Sequence, residues 1–304
     1  MSNNVLSPPR ITFAIPYYRG LDYLSDALRS LLRQENPNWK AVVLDDRGGE
    51  DAESLVLSLS DSRFTFVRNE INLGLARNWN RAVSLVDTEF LTIFHSDDEL
   101  EPNYTDVMIS LLERHPHAAA GHCRTRIIGT NGKAVWSFPD LVKTFIRPSS
   151  SEDTVLSGQQ GLLSITRGAW IFCPTMCYRT ALFPSGGFDP VWKFALDVDL
   201  MSKIFFDGGT IVGTSTVAYR YRRHRQNQTA ILTESNLRFR EELRHLDNVA
   251  RRAEQLGWSG VSRSARRKTV VRLHLLYQAL RAVARLKFTR AWPLMLGSLR
   301  GQLK

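Results

Sequence analysis

Between Ile11 and Phe94 one pattern recurs: a short apolar run, often β-branched, then a polar turn, then apolar residues at helical spacing. Few architectures accept such a repeat. Ile11 to Ile15, Lys40 to Leu44, Phe64 to Val67 and Phe90 to Phe94 read as strands. Leu24, Leu28, Leu31 and Leu32 mark a first helix, Glu53 to Leu59 a second and Ala76 to Leu85 a third, with a fourth expected after Pro102. Strands joined through helices of this length need right-handed crossovers. The spacing therefore predicts an α/β fold with a mainly parallel sheet covered by helices on both faces.

A chain of 304 residues, 43% hydrophobic, can bury a core of the size such a fold needs. Disordered, collagen-like and disulfide-scaffold classes are excluded. The three cysteines, Cys123, Cys173 and Cys177, cannot form a paired framework and point to a reducing compartment. Cys173-Pro-Thr-Met-Cys177 would suit a metal or redox pair, but no second pair at zinc spacing exists, so buried reduced thiols are expected. MSNNVLSPPR lacks an apolar stretch of signal length, and no run of about 20 apolar residues follows, so a cytoplasmic protein is expected, neither secreted nor integral.

The net charge of +10 is unevenly placed. Residues 231–304 hold 16 Lys and Arg against 5 Asp and Glu, whereas the first 230 residues hold 24 against 25. No acidic residue follows Glu254, so any electrostatic partner is expected at the tail.

In open α/β sheets, ligands bind beyond the carboxyl ends of the strands. Those ends read Pro16-Tyr17-Tyr18, Asp45-Asp46-Arg47-Gly48-Gly49, Arg68-Asn69-Glu70 and His95-Ser96-Asp97-Asp98, which gathers acidic side chains on one edge. Adjacent carboxylates repel unless a cation or donor groups hold them. Mg2+ or Mn2+ suits oxygen ligands and bridges phosphate oxygens. Helix capping by Asp97 or Asp98, and an ordinary turn at Asp45-Asp46, are the alternatives. Neither a P-loop signature nor a dinucleotide-binding glycine turn follows any strand, so those two readings lose their main support.

In order along the chain, ITFAIPYYRGLDYLSDALRSLLRQ, VVLDDRGGED, NEINLGLARNWNRAV, FLTIFHSDDELEPNY, GGFDP, ALDVDLMSKI and YRRHRQNQT resemble the family 2 glycosyltransferases over roughly residues 10–229. The resemblance implies a GT-A fold and a metal-dependent, inverting transfer from a nucleoside-diphosphate sugar. It implies that Asp46 hydrogen-bonds the nucleobase over a floor of Pro16 and Tyr18, that Arg77 lies near the base and phosphates, that Asp97 contacts the ribose and that Asp98 ligates the metal. His95 stands where the family more often has the first acidic residue. Leu196-Asp197-Val198-Asp199 matches a family acidic segment that makes Asp197 the catalytic base, with Leu196 in place of a common acid and Asp199 left a structural, helix-capping role. His224 matches a region where relatives place a histidine near the metal or diphosphate. A basic surface cluster with Arg220, Arg222, Arg223 and Arg225 is the alternative, and those arginines also suit a diphosphate. Trp170 and Trp192 fall on the acceptor side, as sugar-stacking faces or as core. The resemblance favours a UDP-sugar, a glycan or lipid-linked acceptor and bacterial surface polysaccharide assembly.

Residues 1–123 are expected to form the nucleotide-sugar half, and 124–229 the acceptor and catalytic-base half of the same domain, with turns at Asn131-Gly132 and Pro139-Asp140 and a Ser-rich stretch at 148–151. Residues 230–304 form a basic helical extension. Within it Leu276, Leu280 and Val283 recur at helical spacing, as do Leu275, Ala279, Ala282 and Leu286, while Arg281 and Arg285 mark another face. Trp292, Leu294, Met295 and Leu296 extend the apolar surface. Residues 265–300 thus suit the anionic inner face of a cell membrane, or packing on the catalytic domain.

Three other functions leave features unexplained. A nucleotidyltransferase would carry a Gly-rich basic loop after the first strand, where only Arg19 and Gly20 stand. A basic nucleic-acid-binding protein leaves the acidic edge without purpose, since phosphates are repelled there, so no nucleic acid partner is expected. A catalytically dead module has no need of Asp46, Asp98 and Asp197.

Overall fold

The computed structural model describes residues 8–136, 138–148, 152–224 and 226–303. The first seven residues, Ser149 to Ser151 and Arg225 lie outside the described residues. The first half alternates as its sequence predicts: β1 (Ile11–Tyr17), α1 (Leu21–Leu32), β2 (Trp39–Asp45), α2 (Ala52–Ser58), β3 (Phe64–Arg68), α3 (Leu75–Ser84) and β4 (Phe90–Ile93). A two-residue β5 (Glu99–Leu100) and α4 (Tyr104–Arg114) follow. In α1, Leu24, Ala27, Leu28 and Leu31 are buried at the spacing that puts one helix face against a sheet.

The second half holds β6 (Ala118–Ile128), α5 (Phe138–Ile146), β7 (Thr154–Ser157), α6 (Gly158–Thr166), β8 (Met176–Arg179), α7 (Leu196–Phe206) and β9 (Thr210–Arg222). Its strands join the same sheet, ordered β3-β2-β1-β4-β8-β6-β9-β5, with β7 also paired to β9. The β1, β2, β3 and β4 ladders are parallel, as expected. Beyond β4 the sheet turns mixed, because β8 runs antiparallel to both β4 and β6. Because β6 crosses the expected boundary at residue 123, the two halves share one strand. Pro139 and Asp140 lie inside α5 rather than in a turn, since proline is tolerated in a helix's first turn, where its missing N–H has no partner to lose.

Alternation along β1 sends Phe13 and Ile15 to one core, with α1, α2 and α4, and Ala14 to the other, with α3, α6 and α7. The extension consists of α8 (Gln228–Glu234), α9 (Leu237–Gln255), α10 (Ser259–Arg267), α11 (Thr269–Ala284) and α12 (Phe288–Arg300). It is not a free tail: Val249, Ala250 and Ala253 of α9 and Val261 and Ala265 of α10 belong to the second core. Phe239, Leu243, Leu275, Ala279 and Leu294 close a third. Among the described residues, no helix is long and apolar enough to cross a membrane.

Helix α11 therefore carries two apolar stripes, one buried through Leu275 and one open through Leu280, which is 56% exposed. Leu275→Ala should cost about 2–5 kcal/mol through lost packing and a residual cavity. Leu280→Ala should leave stability nearly unchanged. Denaturant midpoints of the two variants check this contrast.

Candidate active site

The carboxyl ends of β1, β2 and β4 open into a cleft of about 1370 Å3 lined by Pro16, Tyr18, Asp46, His95, Asp97, Asp197, Arg223 and His224, among others. Tyr18 is half-exposed at its rim, and Pro16 lies beside it, as the sequence predicts. Gly48 is dictated by this corner: a Cβ there would lie 1.2 Å from the Tyr18 carbonyl oxygen.

Asp46 lines the cleft yet is tightly held. Its Oδ1 accepts from Asn69 Nδ2 (2.6 Å) and the Leu73 N–H (2.8 Å), and its Oδ2 accepts from the Gly74 N–H (2.9 Å). A carboxylate has roughly four acceptor positions, so about one remains for a ligand. Asn69 also donates to Asn78 and accepts from Arg81. Asn69 and Asn78 thus hold the Asp46 corner of the cleft, and strand-end reading passes over them because their contacts join the end of β3 to α3. Arg77 is exposed on α3 and is not among the residues that line the cleft.

The turn after β4 departs further from expectation. Asp98 is 1% exposed and does not line the cleft; its Oδ1 accepts from the Arg222 N–H (2.7 Å) and its Oδ2 from the Tyr219 hydroxyl (2.9 Å). Burial, then the neighbouring Asp97 charge, pushes its carboxyl well above the ordinary range. Asp97 faces the cleft and pairs with His224 Nε2 at 2.8 Å. Burial opposes its ionisation, but the His224 hydrogen bond and nearby His95 hold its carboxyl below the usual range. His95, read from the sequence only as a departure, joins the acids: ligating atoms of His95, Asp97 and Asp98 lie within 4.8 Å of one another. His224 is tied to Asp97 instead of completing that group.

These three residues fit a divalent cation. Two carboxylates crowd together, and burial and the Asp97 charge make Asp98 resist ionisation. Burial also lowers the pKa of His95, which favours the neutral imidazole, and its buried Nε2 has no hydrogen-bond partner. The mixed oxygen and nitrogen set accepts Mn2+ or Mg2+.

Of the expected arginine cluster, Arg220 pairs with Glu99 at 2.7 Å, and the fully buried Arg222 with Asp26 and Glu99 at 3.0 and 2.6 Å. Both are committed to the scaffold, and only Arg223, stacked on Tyr221, reaches the cleft among those described. Asp197 lies in the first turn of α7 and lines the cleft; its Oδ1 accepts from the Val198 N–H (2.8 Å). Asp199 does not cap the helix, whose N-cap is Ala195; it pairs with Lys203 at 3.0 Å. The loop before α7 is anchored where Asn80 exchanges two hydrogen bonds with Phe188 (2.7 and 2.8 Å). Trp170 and Trp192 are buried core residues, not stacking faces. Cys123 and Cys177 are buried thiols, the pKa of the latter pushed up to about 12 by burial, whereas Cys173, expected to be buried too, is half-buried and lines the cleft.

Residues 12–177 match the family model described as Glycosyl transferase family 2. The chain belongs to that family. Family relatives include a UDP-Glc:alpha-D-GlcNAc-diphosphoundecaprenol beta-1,3-glucosyltransferase, WfgD of Escherichia coli, 29% identical over 102 residues, which is 34% of this chain and 40% of that protein. Abequosyltransferase RfbV of Salmonella typhimurium is 30% identical over 108 residues, 34% of this chain and 32% of its own. The alignments to these and other curated relatives cover 30% to 65% of the relatives' lengths. The crystal structure of S. aureus TarS 1-349 in complex with UDP-GlcNAc superposes with a TM-score of 0.61 at 18% identity, covering 96% of this chain and 92% of that one. The fold is thus that of a GT-A glycosyltransferase.

Two outcomes follow from the geometry. Gly48→Ala should displace the Tyr18 backbone, costing about 1–3 kcal/mol, and weaken UDP binding more than a remote glycine substitution, as calorimetry would read. Because the folded pKa of Asp98 is raised, the native state holds a proton that the unfolded chain loses near about pH 3.9. The stability Asp98 contributes is therefore present below that pH and lost as pH rises. Asp98→Asn should melt above the wild type in EDTA at neutral pH, with the gap closing on acidification. Mn2+ should raise the wild-type melting temperature and leave the variant's unmoved.

Proposed function

We propose that the protein transfers a sugar from a nucleoside-diphosphate donor, with UDP favoured, to a hydroxyl of a glycan or lipid-linked acceptor, inverting the anomeric carbon. The observation that carries this reading is the single cleft joining the strand-end residues Asp46, His95 and Asp97 to Asp197 at the start of α7. Asp46 keeps about one acceptor position, which suits the imide N–H of uracil. His95, Asp97 and Asp98 would hold Mn2+ or Mg2+, whose charge offsets that of the departing diphosphate. Asp197 takes the acceptor's proton as the hydroxyl oxygen bonds the anomeric carbon and the bond to the diphosphate breaks. One displacement completes the transfer, so no enzyme nucleophile is required.

The acceptor class is supported by the far wall of the cleft. Leu273, Leu276 and Leu280 of α11 and Ile231 and Leu232 of α8 make that wall apolar, which suits a lipid-linked glycan. Beyond it Leu286, Phe288, Trp292 and Leu299 are exposed among Arg281, Arg285 and Lys287. Such a face suits peripheral attachment to an anionic cytoplasmic membrane surface. WfgD is named for a diphosphoundecaprenol-linked acceptor, which supports the same class. No nucleic acid takes part in this reading.

Asp197→Asn should lower kcat for UDP release from the preferred UDP-sugar by about 10²–10⁴-fold while UDP affinity stays the same. Unchanged turnover would remove Asp197 as base. A Leu286→Ser/Trp292→Ser variant should lose sedimentation with phosphatidylglycerol vesicles, and equal wild-type sedimentation with phosphatidylcholine vesicles would argue against the membrane face.

A further inference from the structure

Helix α7 carries Asp197 but has no side chain of its own at the N-cap, where Ala195 stands. A helix start exposes unpaired N–H groups that a Ser, Thr, Asp or Asn ordinarily satisfies. Here a carboxylate from another part of the chain holds the Ala195 N–H and the two peptides that lead into the helix. Glu241 of α9 accepts from the Lys193 N–H with both oxygens (3.0 Å each), from the Phe194 N–H (2.7 Å) and from the Ala195 N–H (3.1 Å). It is 7% exposed, and among the described residues no Lys, Arg or His pairs with it. A carboxylate stripped of water and lacking a cation is retained only where donors replace the water. Three peptide N–H groups and the positive end of α7 do so.

The same helix clasps the residues around that anchor. The Arg238 guanidinium lies 4.7 Å from the centre of the Phe194 ring, and Arg244 lies 5.2 Å from that of Trp192. His245 meets Trp192 edge-on at 5.9 Å and pairs with Ser202 Oγ of α7 at 3.2 Å. Burial lowers the His245 pKa to about 4, so this contact is uncharged at neutral pH. All four residues lie in the extension, beyond the 12–177 span that matches the family model.

We infer that Glu241 is a positioning residue: by fixing the backbone at 193–195 it sets where α7 begins and so where the Asp197 carboxylate stands in the cleft. This rests on the reading of Asp197 as base. The extension then completes the active site instead of merely anchoring the protein.

The test uses the full chain with Glu241→Ala, Glu241→Gln and Asp197→Asn. In Glu241→Ala, amides 193–199 should exchange hydrogen at least tenfold faster, while peptides holding Asp46 and Asp97 keep wild-type protection and UDP binds as before. The kcat for UDP release should fall at least tenfold with the donor KM within twofold. Glu241→Gln, which keeps one accepting oxygen, should recover part of both. Protection unchanged at 193–199, protection lost evenly across the chain, or wild-type kcat despite a loosened link would each overturn the inference. Asp197→Asn separates the two readings. If it turns over normally, the base assignment fails, while the exchange pattern still decides whether Glu241 holds α7.

Discussion

The acidic turn after β4 depends on the burial of one guanidinium. Arg222, at the end of β9, is 1% exposed, and all five of its donor positions are met. Nε donates to the Asp97 carbonyl, Nη1 to the Thr130 and Gly129 carbonyls, and Nη2 to Asp26 and Glu99. Its backbone N–H adds the bond to Asp98. A buried charge is expensive unless satisfied in this way, so the arrangement admits few alternatives. It ties α1, β5, the turn after β4, the turn after β6 and the last strand into one corner. That corner holds Asp98 buried and leaves Asp97 at the cleft.

Strand ends were legible because the alternation of apolar runs and helices is local, and a parallel sheet then fixes which ends meet. Strand ends identify Asp46 and Asp97, the family resemblance alone identifies Asp197, and all three line one cleft. What could not be read are pairings between distant segments. Arg222 meets Asp98 across 124 residues and Glu241 meets Ala195 across 46, and neither contact leaves a periodic trace in the sequence. His95 was seen as a missing acid because only the folded turn places its ring beside Asp97 and Asp98. Arg220 and Arg222 suit a diphosphate by charge, but charge alone says nothing of direction, and both turn into the scaffold. β9 itself, with Gly213, Thr214, Ser215 and Thr216 inside it, gives a weak strand signal despite its 13 residues.

The charge asymmetry of the chain acquires a structural meaning. The nearly neutral first 230 residues place Asp46, Asp97 and Asp197 at the cleft, while the cationic extension divides its own charges. Some turn inward: Arg238 pairs with Glu242, and Arg272 donates to the Ser298 and Leu299 carbonyls. Others, such as Arg281, Arg285 and Lys287, stay exposed beside apolar side chains. One segment thus braces the helix that carries Asp197 and offers a surface of the kind anionic lipids attract. Diphosphate chemistry would then sit between a carboxylate edge that repels anions on its own and a basic outer face.

That repulsion supplies the most direct test of the account. Calorimetric titration of UDP into the wild-type protein and Asp97→Ala, each with EDTA and with Mn2+, measures whether the carboxylate edge accepts a nucleotide only together with a cation. The account predicts tight binding by the wild type with Mn2+, little without it, and loss of the Mn2+ effect in Asp97→Ala. Equal UDP binding in EDTA and Mn2+, or a Mn2+ effect preserved in the variant, would contradict it.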